Sequence, residues 1–219
     1  MLKKYKNLTI FESNELNNIE KCDIAKLILP SAIENEKLMA DNGFVFADRT
    51  IQTSIQLSKL DLNFDKLIRL NVEETGDYKK EIEEIALKSF PYDRRFHLRL
   101  DYNDEELFSE IIKEWVNDLD KVLVAKYKDL IVGFLNLKEI SCDTLFIHFA
   151  AVDEKYRLTG AAMSLYSRAV QIAIEKGYKK LEGRISTKNT AVMNLYSYFN
   201  AHFENPLDIY LKEFDKGNK

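Results

Sequence analysis

Asp153-Glu154-Lys155-Tyr156-Arg157-Leu158-Thr159-Gly160-Ala161-Ala162 follows an apolar run ending at Val152 and leads straight into a helical pattern. A strand, a loop with small residues and a helix N-terminus present unpaired backbone N–H groups and the positive end of a helix dipole, which together make an anion site. Gly160 and Ala162 are small where backbone must approach a phosphate, and Arg157 adds a fixed positive charge. The alternative is a tight strand-to-helix turn whose small residues serve packing. A second chemically rich stretch, Pro91 to Asn103, sets Arg94, Arg95, His97 and Arg99 among Tyr92, Phe96 and Tyr102. Such a set can grip a diphosphate and stack on a base, or it can be a solvated, charge-balanced loop.

The elements that must position these residues are legible from periodicity. In the early part, Leu8 to Phe11 and Ile24 to Leu29 read as strands and Glu15 to Lys21 as a short helix. Ser31, with Glu34 three residues on, reads as a capping box for a helix over Ala32 to Asp41, closed by Asn42-Gly43. Phe44 to Leu57 alternates as a strand. The pattern lapses near Asp61 to Asp65, which places a boundary between a small αβ unit, 1–64, and a larger domain, 65–219.

In the larger part, Lys66 to Val72 reads as a strand, and Tyr78 to Phe90 and Glu105 to Leu119 as amphipathic helices. Val122 to Tyr127 and Ile131 to Lys138 flank a Lys128-Asp129 turn, and Leu145 to Val152 is a further strand. Ala161 to Lys176 is a helix ended by Gly177. Leu181 to Ser186, Thr190 to Phe199 and Ile209 to Phe214 follow as strand, helix and strand.

The chain has 219 residues, 46% hydrophobic and 31% charged, with seven glycines and three prolines, as expected of an ordinary globular protein. A net charge of -4 with mixed signs argues against nucleic acid as a partner. Cys22 and Cys142 lack zinc-ligand spacing, so each is expected to fill a small apolar space in a reducing compartment, with no metal bound. Met1 to Asn7 lacks a signal-peptide core, and no apolar run approaches the roughly 20 residues that span a bilayer. A cytoplasmic protein with no membrane partner is the expectation.

Arg157-x-x-Gly160-x-Ala162 resembles the Q/R-x-x-G-x-G/A pyrophosphate loop of GNAT acetyltransferases, and Asn189, Leu195 and Tyr196 resemble the N-x(5)-L-Y pattern of that family's next helix. The resemblance spans roughly Lys66 to Phe214. It implies an α/β (α+β) fold with a mixed central sheet flanked by helices, here preceded by the small N-terminal αβ unit, and acetyl-CoA as co-substrate. It further implies that Ala150, Ala151, Val152, Arg157, Leu158, Thr159, Gly160, Ala161, Ala162, Asn189 and Tyr196 hold that co-substrate, with the Tyr196 hydroxyl at the thioester sulfur.

An amine attacking a thioester needs a base, donors for the developing oxyanion and an acid for the leaving thiolate. Tyr196 fits the acid, or else is a core aromatic. A backbone N–H near Ala151 or Val152 fits the oxyanion donor. No glutamate stands on the strand Leu145 to Val152, so the base is either His148, placed by alternation on one face with Phe146 and Ala150, or Asp48. The alternative for His148 is a hydrogen-bonded core histidine, for Asp48 a solvated carboxylate beside Arg49. A water chain without a single base is also open.

Arg95-Phe96-His97, Trp115 on an acidic helix and an αβ prefix ending in Gly43-Phe44 resemble the dTDP-fucosamine acetyltransferases. That resemblance implies a dTDP-4-amino-4,6-dideoxy sugar as acceptor, used in cell-surface glycan synthesis, with Arg94, Arg95 and His97 as its binding residues. Another amine (a peptide N-terminus, a polyamine or an antibiotic) and a non-catalytic binding module are the alternatives. A homodimer is also open, since folds of this family pair in several ways. Asn200 stands where the family usually has glycine, and asparagine tolerates the left-handed conformation such a turn requires.

Overall fold

Strands contributed by both ends of the chain pair into one sheet, and this interleaving sets the geometry of everything else. The computed structural model describes residues 1–5, 8–16, 19, 22–91, 93–119 and 122–214. The first elements are β1 (Leu2–Tyr5), β2 (Leu8–Ser13), β3 (Ile24–Pro30), α1 (Ile33–Asp41) and β4 (Val45–Gln56). Next come α2 (Phe64–Leu67), β5 (Asn71–Thr75), α3 (Lys79–Ser89), α4 (Glu105–Asn117), β6 (Val122–Tyr127), β7 (Leu130–Ser141) and β8 (Thr144–Val152). The last are α5 (Ala161–Glu175), β9 (Lys180–Ser186), α6 (Thr190–Tyr198) and β10 (His202–Glu213).

The strand order is β1-β2-β3-β10-β4-β9-β8-β7-β6-β5. β2 with β3 and β8 with β9 run parallel; the other neighbours are antiparallel. β4 lies between β10 and β9, pairing Thr50 with both Leu207 and Ser186. Strands from both sides of position 64 thus share one sheet.

Helices cover both faces. α3 and α4 bury Ile82, Ile85, Ile111 and Ile112 against one face, where Phe90 stacks on Phe149 at 5.3 Å between centroids. α5 and α6 bury Leu165, Ala169, Tyr196 and their neighbours against the other, the face that α1 also covers through Met39 and Tyr210. Full burial of the isoleucine, leucine and phenylalanine side chains among these contributes about 1.5–3 kcal/mol each.

Several sequence expectations shift. α1 begins at Ile33 with Ala32 as N-cap and no side-chain cap bond, so the Ser31/Glu34 box does not form; Asn35 instead donates to the Pro30 carbonyl at 2.8 Å. The strand expected over Lys66 to Val72 is a helical turn followed by β5, because the Arg69 and Leu70 N–H groups donate to Ser164 Oγ of α5 at 3.0 and 3.2 Å rather than to a strand. β10 starts seven residues before the expected Ile209. The helix expected over Glu15 to Lys21 falls mostly outside the described residues. Cys22 is buried as expected, but Cys142 is exposed in the turn between β7 and β8.

Candidate active site

β8 and β9 begin side by side and then part. Their parallel register runs from Thr144↔Lys180 to Ile147↔Gly183 and stops. Beyond it Phe149 to Val152 pair only with β7, so among the described residues no strand covers the β9-facing edge of Ala150, Ala151 and Val152. Backbone N–H and C=O groups on such an edge need partners. The opening leads to the loop: Asp153 caps a short three-ten turn over Glu154–Thr159 by accepting from the Lys155 N–H, and Gly160 follows at φ 85°. That left-handed conformation is free to glycine and costly to other residues.

α5 starts at Ala161, and the first N–H groups of a helix have no partner inside it. Arg157 and Leu158 are exposed, Leu158 completely (102%), and Thr159 donates its hydroxyl to the Tyr156 carbonyl at 2.7 Å. Arg69, which the sequence did not single out, lays its side chain over the same spot, its Cδ 3.6 Å from where a Cβ on Gly160 would stand. A loop without a Cβ at its tightest point, free helix N–H groups and two cationic side chains fit a diphosphate.

Tyr196 sits at the vertex of the opening. A Cβ on Gly183 would stand 2.2 Å from the Tyr196 hydroxyl oxygen, so the absence of a side chain in β9 makes the seat for that hydroxyl. It hydrogen-bonds Thr53 of β4 and Tyr166 of α5, and burial pushes its pKa up to about 12 against those two bonds. Asn189 is the N-cap of α6, accepting from the Val192 N–H at 3.2 Å. Asn200, after α6, has φ 54°, the conformation anticipated for it.

The opposite face of the vertex is formed differently. A bulge in the β7–β8 ladder between Ile147 and Phe149 puts His148 and Phe149 on one face, so His148 does not share its face with Ala150, contrary to simple alternation. His148 stacks on Trp115 at 4.6 Å between centroids. Its pKa falls to about 4 through burial first and the nearby Lys138 second, so the imidazole is neutral at neutral pH. Asp48 is not a solvated carboxylate: it is 1% exposed and accepts from Ser186 Oγ at 3.1 Å and the Arg49 N–H at 2.9 Å, while the Arg49 guanidinium turns to Asp208.

The basic loop divides. Arg94 is buried and spends its guanidinium on the carbonyls of His97, Arg99 and Leu100, with its Cζ 3.6 Å from the Tyr102 ring centroid. His97 is buried with Nδ1 2.7 Å from Asp104 and its ring stacked on Phe108. Both are turned into the loop, where closing its own polar groups outweighs presenting them outward. Arg95 instead pairs with Asp93 through Nε and Nη2 and reaches the wall of a cavity of about 280 Å³ that also includes Lys26, Trp115 and Arg184. Tyr92 lies outside the described residues.

The model of the acetyltransferase (GNAT) family matches residues 79–200, more than half of the chain, and the chain belongs to that family. Membership makes it an acyltransferase by class, in a family that generally uses acetyl-CoA. Among solved structures, a conserved protein of unknown function from Staphylococcus epidermidis aligns at a TM-score of 0.64 and 15% identity, covering 89% of this chain and 74% of the other. A GCN5-related N-acetyltransferase from Sphaerobacter thermophilus aligns at 0.59 and 16% identity, with 87% of this chain covering 59% of that one. A GNAT-family acetyltransferase from Colwellia psychrerythraea aligns at 0.56 and 11% identity, covering 91% and 68%. At these identities the likeness is one of fold. No curated protein matches the chain. Among the described residues no helix is long and apolar enough to cross a membrane.

Proposed function

We propose that this chain transfers the acetyl group of acetyl-CoA to the amine of a small acceptor. The observation that carries the reading is the uncovered edge of Ala150 to Val152 opening onto the left-handed Gly160 and the start of α5. Ala161, Ala162, Gly160, Arg157 and Arg69 hold the diphosphate, the β8 edge holds the extended arm, and Asn189, at the start of α6, is the further contact the family resemblance implies. Leu158 and Thr159 complete the loop. Bound there, acetyl-CoA supplies the activated acetyl group.

Tyr196 keeps its proton at neutral pH, because its pKa stands near 12, and holds it at the vertex where the two strands part. Backbone N–H groups at the β8 edge supply preorganised donors for negative charge on oxygen. For the amine proton we favour His148, which borders the vertex and is unprotonated above about pH 4, over Asp48, whose carboxylate Ser186 and the Arg49 N–H already engage.

The acceptor enters on the α3/α4 side, where Arg95 and Trp115 line the cavity. An aromatic plane beside cations supports a nucleotide-linked amino sugar, as does the resemblance of Arg95-Phe96-His97 to the dTDP-fucosamine acetyltransferases. Use of acetyl-CoA would place the reaction in the cytoplasm.

Gly160→Asp tests the reading. A side chain and a negative charge at φ 85° enter the space of the diphosphate, so acetyl-CoA binding measured by calorimetry is abolished, while the chain stays folded and loses only the roughly 1–2 kcal/mol that the left-handed backbone costs a residue with a Cβ. Wild-type affinity in that variant would remove the loop from the binding site.

A further inference from the structure

On β9, Gly183 faces α6 and the next residue, Arg184, alternates to the opposite face, where it lines the 280 Å³ cavity beneath α4 together with Thr50, Arg95 and Trp115. The cations around this cavity are not equivalent. Lys26 pairs with Glu12 at 3.0 Å, Arg95 with Asp93 at 2.7 Å and Lys3 with Glu114 at 2.9 Å. Arg184 has neutral partners only among the described residues: Nη1 lies 3.4 Å from Thr50 Oγ1 and 3.1 Å from the Asn205 carbonyl. Its charge is half-buried, and burial lowers its pKa. A partly desolvated guanidinium without a carboxylate is unfavourable unless something anionic completes it. It stands one residue past the last β8–β9 pair, beside the vertex that Tyr196 occupies from the other face.

We propose that Arg184 is the specificity-determining residue for the acceptor, and that the acceptor amine is carried on a molecule bearing an anionic oxygen group, a carboxylate or a phosphate, which Arg184 binds in this cavity. This rests on the acetyl-transfer reading above. The guanidinium fork suits either group, and Thr50 Oγ1 adds a hydroxyl beside it. The position of Arg184 next to the vertex fixes how far the amine and the anionic group stand apart, so the same contact that selects the acceptor also orients it.

The test uses the full chain saturated with CoA, so that the loop site is filled. Binding is measured by calorimetry for two matched pairs: glycine against glycinamide, and glucosamine 1-phosphate against glucosamine. The expected result is that the anionic member of at least one pair binds at least tenfold more tightly than its neutral partner, and the pair that responds distinguishes carboxylate from phosphate. Arg184→Gln removes that preference and Arg184→Lys retains part of it, while CoA affinity stays unchanged in both. The proposal is overturned if neither anionic compound binds better than its partner in the wild type, or if the preference survives Arg184→Gln. Failure of CoA itself to bind the wild type would strike the acetyl-transfer reading instead, which keeps the two failures apart.

Discussion

The seating of Tyr196 on Gly183 can be tested by filling the seat. In Gly183→Ala the new Cβ would stand 2.2 Å from the Tyr196 hydroxyl oxygen, 3.1 Å from its Cζ and 3.2 Å from Thr53 Oγ1. The first distance is far inside contact, and Tyr196 is 1% exposed between α5, α6 and the sheet, so the ring has nowhere to retreat. Overpacking of a close-packed core typically costs about 1–3 kcal/mol, and the upper part of that range is expected here. Tyr196→Phe alone loses the bonds to Thr53 and Tyr166, at about 0.5–1.5 kcal/mol per bond. Together the two changes relieve each other: without the hydroxyl the closest remaining ring atom is at 3.1 Å, which a few tenths of an ångström of movement can absorb. Urea unfolding of both single variants and the double variant should therefore give a double variant more stable than the sum predicts by at least about 1 kcal/mol. Additivity within about 0.5 kcal/mol would refute the seating, since it would mean that the hydroxyl does not lie over Gly183.

Two further outcomes follow from the same geometry. If Tyr196 is the proton donor, Tyr196→Phe lowers kcat by about 10² to 10⁴ with acetyl-CoA affinity within a few-fold, and an unchanged kcat under chemistry-limited conditions would make it a core aromatic only. Burial opposes ionisation of Asp93, but the charge and hydrogen bonds of Arg95 outweigh it and hold the carboxyl below its ordinary value of 3.8. Its contribution to stability is thus complete above that value and is lost as pH falls through the depressed folded one. Asp93→Asn should flatten the acid limb of the stability profile below about pH 4, and an unaltered limb would place the acid sensitivity elsewhere.

The loop was readable because its signals are local. Gly160, Ala161 and Ala162 stand one short loop after an apolar strand, and the left-handed turn, the helix start and the later Asn200 conformation fall where residue type alone puts them. Side-chain direction was less readable. Alternation misplaced His148 relative to Ala150, because the bulge that turns two consecutive side chains to one face is set by pairing with β7. Arg94 and His97 look outward in sequence, yet the carbonyls and carboxylate that claim them belong to the loop's folded path. Arg69 had no local mark at all, since its place over Gly160 depends on Ser164, 95 residues away. Arg184 carried one faint sign, a cation directly after a strand glycine, and needed the sheet to give it meaning.

The placement of β4 also has a consequence for biosynthesis. Thr53 meets Gly183 across 130 residues, and β10, on the other flank of β4, is the last strand of the sheet to be translated. A nascent chain therefore carries a finished strand with both hydrogen-bonding edges open until nearly all of the molecule has emerged. Contacts of such sequence separation slow folding, and open strand edges invite pairing with other chains. The vertex that seats Tyr196 is assembled only at the end, so a ribosome-bound fragment that stops short of β9 has α3 and α4 available but no opening between β8 and β9.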